Sequence, residues 1–446
     1  MARAKKETAL TPEERLQAAL VPDWEWPYKL PKNWCWTYLT KAAECLDNFR
    51  KPINATERAG RNGNVPYYGA TGQVGWIDDF LTDEDLVLLG EDGAPFLDLI
   101  KDKAYLITGK AWVNNHAHIL RSLFGDTGNR YLLHYLNSFN YAGYVNGTTR
   151  LKLTRASMDT IPIPLPPLAE QQRIVDRIES LFAKLDESKE KAQAVVDSFE
   201  TRKAAILHKA FTGELTAKWR EEHGARMESW EKKSVGELCI SLKYGTAKKS
   251  DASGNVVVLR MGNLQQGEID WSDLAYSNDP DDIEKYKLFP GDVLFNRTNS
   301  AALVGKTAIY RGEHPAIYAG YLIKLDYDHD KIIGDYLNYA LNTLDAKKYC
   351  NSVKTDGVNQ SNINAKKIGA YSFNVTSIPE QEKIVSVIQK LLSKEQQAKE
   401  AAEAVLDQID LMKKSILARA FRGELGTNDP NEESAVELLK EIIRRG

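Results

Sequence analysis

Along two stretches of the chain, apolar residues recur at alternating steps of three and four. The first holds Ile174, Ile178, Leu181, Leu185, Ala192, Val195, Phe199 and Ile206, with Ser188 and Arg202 as polar interruptions. The second holds Ile384, Ile388, Leu391, Ala398, Ala402, Val405, Ile409, Met412 and Ile416, with Glu395 as the exception. A 3.5-residue period kept up for about six heptads is a coiled-coil pattern. Each stretch follows proline (Pro162, Pro164, Pro166 and Pro167, or Pro379), contains none, and closes on a glycine, Gly213 or Gly423. The spacing predicts two long helices that pack on each other. The first, from Glu170 to Phe211, would be roughly 63 Å long.

The two stretches are copies. A shift of 210 carries Glu170 onto Glu380, and 21 of the 46 positions from 170 to 215 are identical without a gap. They end alike, as "AFTGEL" and "AFRGEL". Similar helices from similar halves pair most simply antiparallel about a pseudo-two-fold axis. The intervening modules, 31–165 and 226–377, mix strand-like runs ("EDLVLLG", "NVVVLRMGN", "GDVLFN") with one short helical stretch each ("NRYLLHYLNS", "GDYLNYALNT"). The expected fold class is α+β: two mixed α/β modules separated by two long helices in an antiparallel coiled coil, as a pseudo-two-fold internal repeat. The expected boundaries are an N-terminal helical segment 1–30, module 31–165, helix 166–215, linker 216–225, module 226–377, helix 378–425 and a helical tail 426–446.

At 446 residues the chain exceeds one ordinary core. No apolar run is long enough to span a membrane and the N-terminus has no secretory core, so a cytoplasmic location is expected. Cys35, Cys45, Cys239 and Cys350 are scattered and read as reduced thiols. The net charge of −3 means that any nucleic-acid surface must be local.

Positive charge recurs at matching places of the two halves. Arg150, Lys152 and Arg155 lie in an acid-free stretch of the first module, and Lys354 with its neighbours lies in the matching stretch of the second. Near the module starts stand Arg50, Lys51, Arg58 and Arg61, and Lys243, Lys248 and Lys249, in loops suited to phosphate. In "FNRTNS", Arg297 and Asn299 follow a strand. Arginine reads guanine and Asn or Gln reads adenine by bidentate geometry, so Arg297, Asn359, Gln360 and Asn362 are candidates for base edges.

Catalytic signatures are missing. There is no phosphate-binding G-x-x-x-x-G-K-[ST] loop, no N-P-P-[YF] segment and no D/E-x-K after Pro280 and Asp281. His116 and His118 share a strand face but have no evident third ligand, and "GEDG" at 90–93 reads as a turn. No catalytic, cofactor-binding or metal residue is assigned.

The motif "IPIPLPPLAEQQRIV" leading to "AFTGEL", followed by "SIPEQEKIV" leading to "AFRGEL", resembles the DNA specificity subunit of type I restriction-modification systems over about 31–425. The resemblance implies that each module is a target recognition domain reading one half of a bipartite site in double-stranded DNA, with the helices as spacer. It implies docking of two methyltransferase subunits that bind S-adenosylmethionine, and of restriction subunits that use ATP and Mg, with no cofactor or catalysis in this chain. The second motif, "NVTSIPEQ", has fewer prolines than the first. "TPEERLQAAL" reads as a short helix capped by Thr11, which with "ESAVELLKEIIRRG" would pack on the opposite module or on a methyltransferase subunit. The alternatives are a coiled-coil adaptor that never touches DNA and an enzyme with an unrecognised site.

Overall fold

The computed structural model describes residues 11–358 and 360–445 and divides into two compact units. One holds the residues up to Gln193 and those from Glu403 onward, and the other Ala194–Ala402. Each unit therefore contains one module, the first part of its own long helix and the last part of the other.

In the first unit, Ala43–Cys45, Ala117–Ser122, Leu86–Gly90 and Ala104–Ile107 form an antiparallel sheet in that order. A second sheet orders Gly72–Ile77, Val65–Gly69, Lys110–Val113 and Thr82–Asp83, its middle pair parallel. All five residues of Leu86–Gly90 are buried, and alternate side chains serve different cores. Val87 and Leu89 meet the helix Gly125–Ser138, whereas Leu86 and Leu88 pack toward the second sheet.

The second unit repeats this plan. Cys239–Tyr244, Leu322–Tyr327, Val293–Asn296 and Thr307–Ile309 follow the same order, and Tyr276–Ser277, Val256–Leu259 and Ala316–Tyr318 again include a parallel pair. Val293 and Phe295 face the helix Gly334–Leu341, and Leu294 faces the other sheet. The interiors of the modules differ in sequence, yet their topologies agree.

A two-stranded ribbon closes each module, Cys35–Tyr38 with Pro162–Leu165 and Glu231–Ser234 with Ser372–Val375. Two prolines fit such a ribbon because one strand edge needs no donor there. The carbonyls of Pro164 and Pro162 accept from the Tyr131 and Tyr135 hydroxyls. In the first unit, Pro12–Ala19 and Ala435–Arg445 pack together over this ribbon through Ala19, Cys35, Leu165, Ala435 and Leu439. Thr11 caps the first of them in a capping box with Glu14.

The first long helix is interrupted, running Leu168–Asp197 and then Phe199–Phe211, while the second is continuous over Ile378–Ala420. Ser198 turns its hydroxyl onto the Ala194 carbonyl at the break, a back-bond that weakens the helical ladder. Within the first unit, Lys413 donates to Asp186 at 2.6 Å and Lys189 lies 4.0 Å from Asp410. Within the second, Arg202 donates to Glu395 at 2.5 Å and Lys399 lies 5.1 Å from the Phe199 ring centre. In both units the partner numbers fall as the helix numbers rise, so the paired segments run antiparallel. Arg202 and Glu395, two of the three polar exceptions in the apolar patterns, meet each other. Of the apolar positions in the second stretch, Ile384, Ile388, Ala402 and Ile409 are buried, but Ala398, Val405 and Met412 are exposed. A two-helix seam is narrow, and along it one heptad column is covered while Ala398, Val405 and Met412 of the other face outward.

The repeated Glu-Gln of each motif explains the copied text. Glu380 is fully buried and accepts from Thr376 and Arg220 at 2.6 Å, Thr216 at 2.7 Å and Trp230 Nε1 at 3.0 Å. Glu170, equally buried, accepts from Thr427 and Arg173 at 2.7 Å. Each glutamate opens one long helix and grips the chain leaving the other. Phe211 likewise packs on Tyr336, and Phe421 on Tyr131 and Tyr135, so each copy's "AF" ends in the module of the other half.

Candidate nucleic-acid interface

The strands Leu86–Gly90 and Val293–Asn296 end at equivalent points, as their backbone bonds show. Glu91 N–H donates to His116 O and Glu91 O accepts from Leu153 N–H; Arg297 N–H donates to Tyr321 O and Arg297 O accepts from Ile363 N–H. Lys152 and Asn362, 210 apart, are equivalent by the same ladders, pairing with Asp92 and Thr298. One position thus carries a carboxylate in the first module and a guanidinium in the second.

In the first module Glu91 closes an ion network. Arg50 pairs with Glu91 and with Asp47 at 3.0 Å, and Lys152 reaches Glu91 at 3.1 Å. Burial pushes the Glu91 carboxyl up, but Arg50 and Lys152 hold it below the ordinary range. Asp47 is likewise raised by burial and, on balance, lowered by hydrogen bonds from His118 and the Ile119 N–H. Outside this network, Asp92 binds Arg150 at 2.8 Å and His116 at 2.7 Å.

In the second module Arg297 lies over the Tyr244 ring at 4.7 Å, donates to Gly320 O at 3.3 Å and to Asn362 Oδ1 at 3.2 Å, and leaves Nε buried without a partner among the described residues. Asn362 also donates to Thr298 at 2.8 Å. Beside them, Thr355–Asp356 and Ser361–Asn362 form a hairpin with Thr298–Asn299, and Val358 stands fully exposed at its tip. A guanidinium over an aromatic ring with an amide beside it is held in a defined position.

The structure thus brings Arg297, Asn299, Asn362 and Gln360 to one hairpin, and Arg50 and Lys152 to one network on Glu91, with Arg150 beside it on Asp92. Lys354 lies at the hairpin base, bonded to Ala301 O at 3.0 Å. Arg58 and Arg61 form a separate group over Tyr67 and Trp112, and Lys51 also approaches the Trp112 ring. Arg155 pairs locally with Asp159, Lys243 with Asp326, and Lys248 with Asp279, all within 2.8 Å. Lys249 is exposed and has no ion pair among the described residues. Asn359 lies outside the described residues. Reading the sequence missed Glu91, Asp92 and Tyr244: the acids look like turn residues in "GEDG", and the tyrosine is distant from Arg297 in the chain.

Cys45, Asp47 and His118 gather within 4.8 Å. The His118 nitrogens already face Asp47 at 2.7 Å and Leu153 O at 3.0 Å, and burial pushes the Cys45 thiol up to about 12. With Arg50 also on Asp47, the donors are spent on the network and do not fit a cation.

Two like-built modules, each joined to segments of the long helices, carry unlike residues at one half-buried strand end. The model of the family described as the type I restriction modification DNA specificity domain matches residues 46–196 and 227–404, and the chain belongs to that family. It is 28% identical over 328 residues to the StySPI type I restriction enzyme specificity subunit of Salmonella potsdam, covering 70% of each chain. It is 27% identical over 333 residues to the EcoKI specificity subunit of Escherichia coli K12, again covering 70% of each. The fold matches the HsdS subunit from Thermoanaerobacter tengcongensis with a TM-score of 0.59 at 19% identity, over 90% of this chain and 100% of that one. Such subunits are the non-catalytic part of type I systems, and this chain is non-catalytic on that ground. No helix among the described residues is long and apolar enough to cross a membrane.

Proposed function

We propose that the modules 31–165 and 226–377 each read one half of a bipartite site in double-stranded DNA, and that the long helices form an antiparallel coiled coil whose length sets the spacing between half-sites. The observation that carries this reading is the substitution of Glu91 and Lys152 by Arg297 and Asn362 at one structural position, which gives two like-built heads different hydrogen-bonding faces. Arg50, Lys51, Arg58, Arg61, Arg150, Lys152, Arg155, Lys243, Lys248, Lys249 and Lys354 hold phosphates; Arg297, Asn299, Asn359, Gln360 and Asn362 meet bases.

The exposed apolar residues Val405, Leu411 and Met412 of the second helix support docking of two methyltransferase subunits. Those subunits bring S-adenosylmethionine, and restriction subunits bring ATP and Mg, in a cytoplasmic complex. Replacing 31–165 by the corresponding module of a relative and mapping methylated sites tests the reading. One half-site changes while the other half and the spacer stay; a change in both halves overturns it. Steeply salt-dependent DNA binding separates this function from that of an adaptor that never touches DNA.

A further inference from the structure

The second unit has an open groove of about 900 Å³ between the helix Phe199–Phe211, the helices Gly334–Leu341 and Leu344–Val353, and the ribbon. Ala204, Thr212, Lys232, Ala340, Leu344 and Asn374 are among its walls. In the first unit the chain itself fills the corresponding place. The ribbon registers equate Lys232 with Trp36 and Asn374 with Pro164, and the repeat equates Thr212 with Arg422. The hydroxyls of Tyr131 and Tyr336 bond equivalent ribbon carbonyls, which equates Ala340 with Tyr135.

Tyr28 occupies that place. Its ring meets Trp36 edge-on with centroids 5.0 Å apart, the Arg422 guanidinium lies 5.4 Å from its ring centre, and its carbonyl accepts from Trp36 Nε1 at 3.1 Å. Just upstream, Val21 N–H donates to Trp36 O at 3.1 Å and Leu20 bridges Thr37, so this segment adds a short strand to the ribbon edge. Among the described residues the second unit has no such cover. Its chain before Met227 is held elsewhere by Arg220 on Glu380, no isolated bridge falls on Glu231–Ser234 among the described residues, and Ala340 stands where the first unit has a tyrosine ring.

We propose that this groove seats an extended segment of a second polypeptide, which pairs with the outer edge of Glu231–Ser234 and buries one aromatic ring over Lys232. An unpaired strand edge supplies main-chain hydrogen bonds to an extended peptide, and a single pocket beside it selects one side chain. An aromatic ring suits that pocket because it buries a large area at small entropic cost and can take the Lys232 ammonium on its face. This interaction is independent of DNA reading, and its failure leaves that reading untouched.

The probe is a synthetic peptide of residues 20–31, "LVPDWEWPYKLP", with Tyr28 replaced by photoreactive benzoylphenylalanine, added to the full chain. Fluorescence anisotropy should show saturable binding that a scrambled peptide lacks, and cross-links should map to 199–212, 340–348 or 371–374. Lys232→Glu, which removes the cation under the ring, should weaken binding about tenfold or more, and so should Leu344→Glu on the exposed rim. Both side chains are exposed, so neither substitution disturbs the core. The proposal fails if binding does not saturate, if neither variant weakens it, or if cross-links fall on Tyr131 or Arg422. It also fails if light scattering shows the chain dimerising through its own residues 20–30, since the groove would then belong to a second copy.

Discussion

The two units place a buried glutamate at the same point of the same motif and treat it oppositely. Burial raises the Glu380 carboxyl, but Thr376, Thr216, Arg220 and Trp230 bring it below its ordinary value of 4.5. Burial raises Glu170 as well, and Thr427 and Arg173 do not offset it. The tryptophan that helps Glu380 has an equivalent in Trp34, whose Nε1 is buried without an acceptor among the described residues. In the second unit the carboxylate is a fully supplied anion; in the first it is an under-supplied one. The fold needs a group here that grips the other helix's exit, but it does not need one particular set of partners.

That contrast predicts the largest effect. Glu380→Gln leaves the Arg220 guanidinium buried without its counter-charge and should cost about 3–5 kcal/mol in urea unfolding followed by tryptophan fluorescence. Glu170→Gln removes a charge that is costly to bury and should cost about 1 kcal/mol or less. The pH dependence has opposite signs. A depressed carboxyl stabilises the folded state above its unfolded value, so the advantage of wild type over Glu380→Gln should shrink as pH falls below 4.5 through the lower folded value. A raised carboxyl favours the folded state when protonated, so the Glu170 unit gains as pH falls through its raised value. Equal losses from the two substitutions at neutral pH would remove the distinction.

The modules sharpen the comparison at the next scale. Arg297→Ala should relax discrimination at one base pair of one half-site by about 1–3 kcal/mol, whereas Lys152→Ala should weaken binding evenly across sequences. Competition among site variants at fixed salt reads both. Identical effects on every sequence would strip Arg297 of a base-reading role.

Much of the fold was legible in the sequence because heptad spacing, proline before a helix and glycine after it are local signals. The equivalence of the modules was not: it lies in backbone bonds such as those of Glu91 and Arg297, which side-chain identity does not encode. The glutamate grips were hidden for another reason, since Glu170 and Thr427, or Glu380 and Thr216, are far apart in sequence. The apolar pattern also counted Val405 and Met412 as buried, because spacing reveals a stripe's direction but not how much of its width a single partner helix covers. At the candidate site, recurrence of positive charge singled out matching loops of the two modules. It could not show that Arg50 and Lys152 spend part of their charge on Glu91.

The smallest difference between the units is in the helices. The shift of 210 equates Arg202 with Met412 and Glu395 with Leu185, so an ion pair in the second unit replaces an apolar pair that lines a shallow groove in the first. Both charged side chains are partly exposed, so the pair should contribute under about 1 kcal/mol. Arg202 also donates to Val195 O at 3.1 Å and to Ser198, where the helix breaks. Two roles are therefore possible, and a double substitution separates them. Arg202→Met alone should destabilise slightly; adding Glu395→Leu should restore stability to within a few tenths of a kcal/mol if the ion pair is what matters, because the two then copy the first unit. If stability stays at the single-variant level, the arginine matters through the interruption at Ser198, and it is that break which distinguishes this half of the coil.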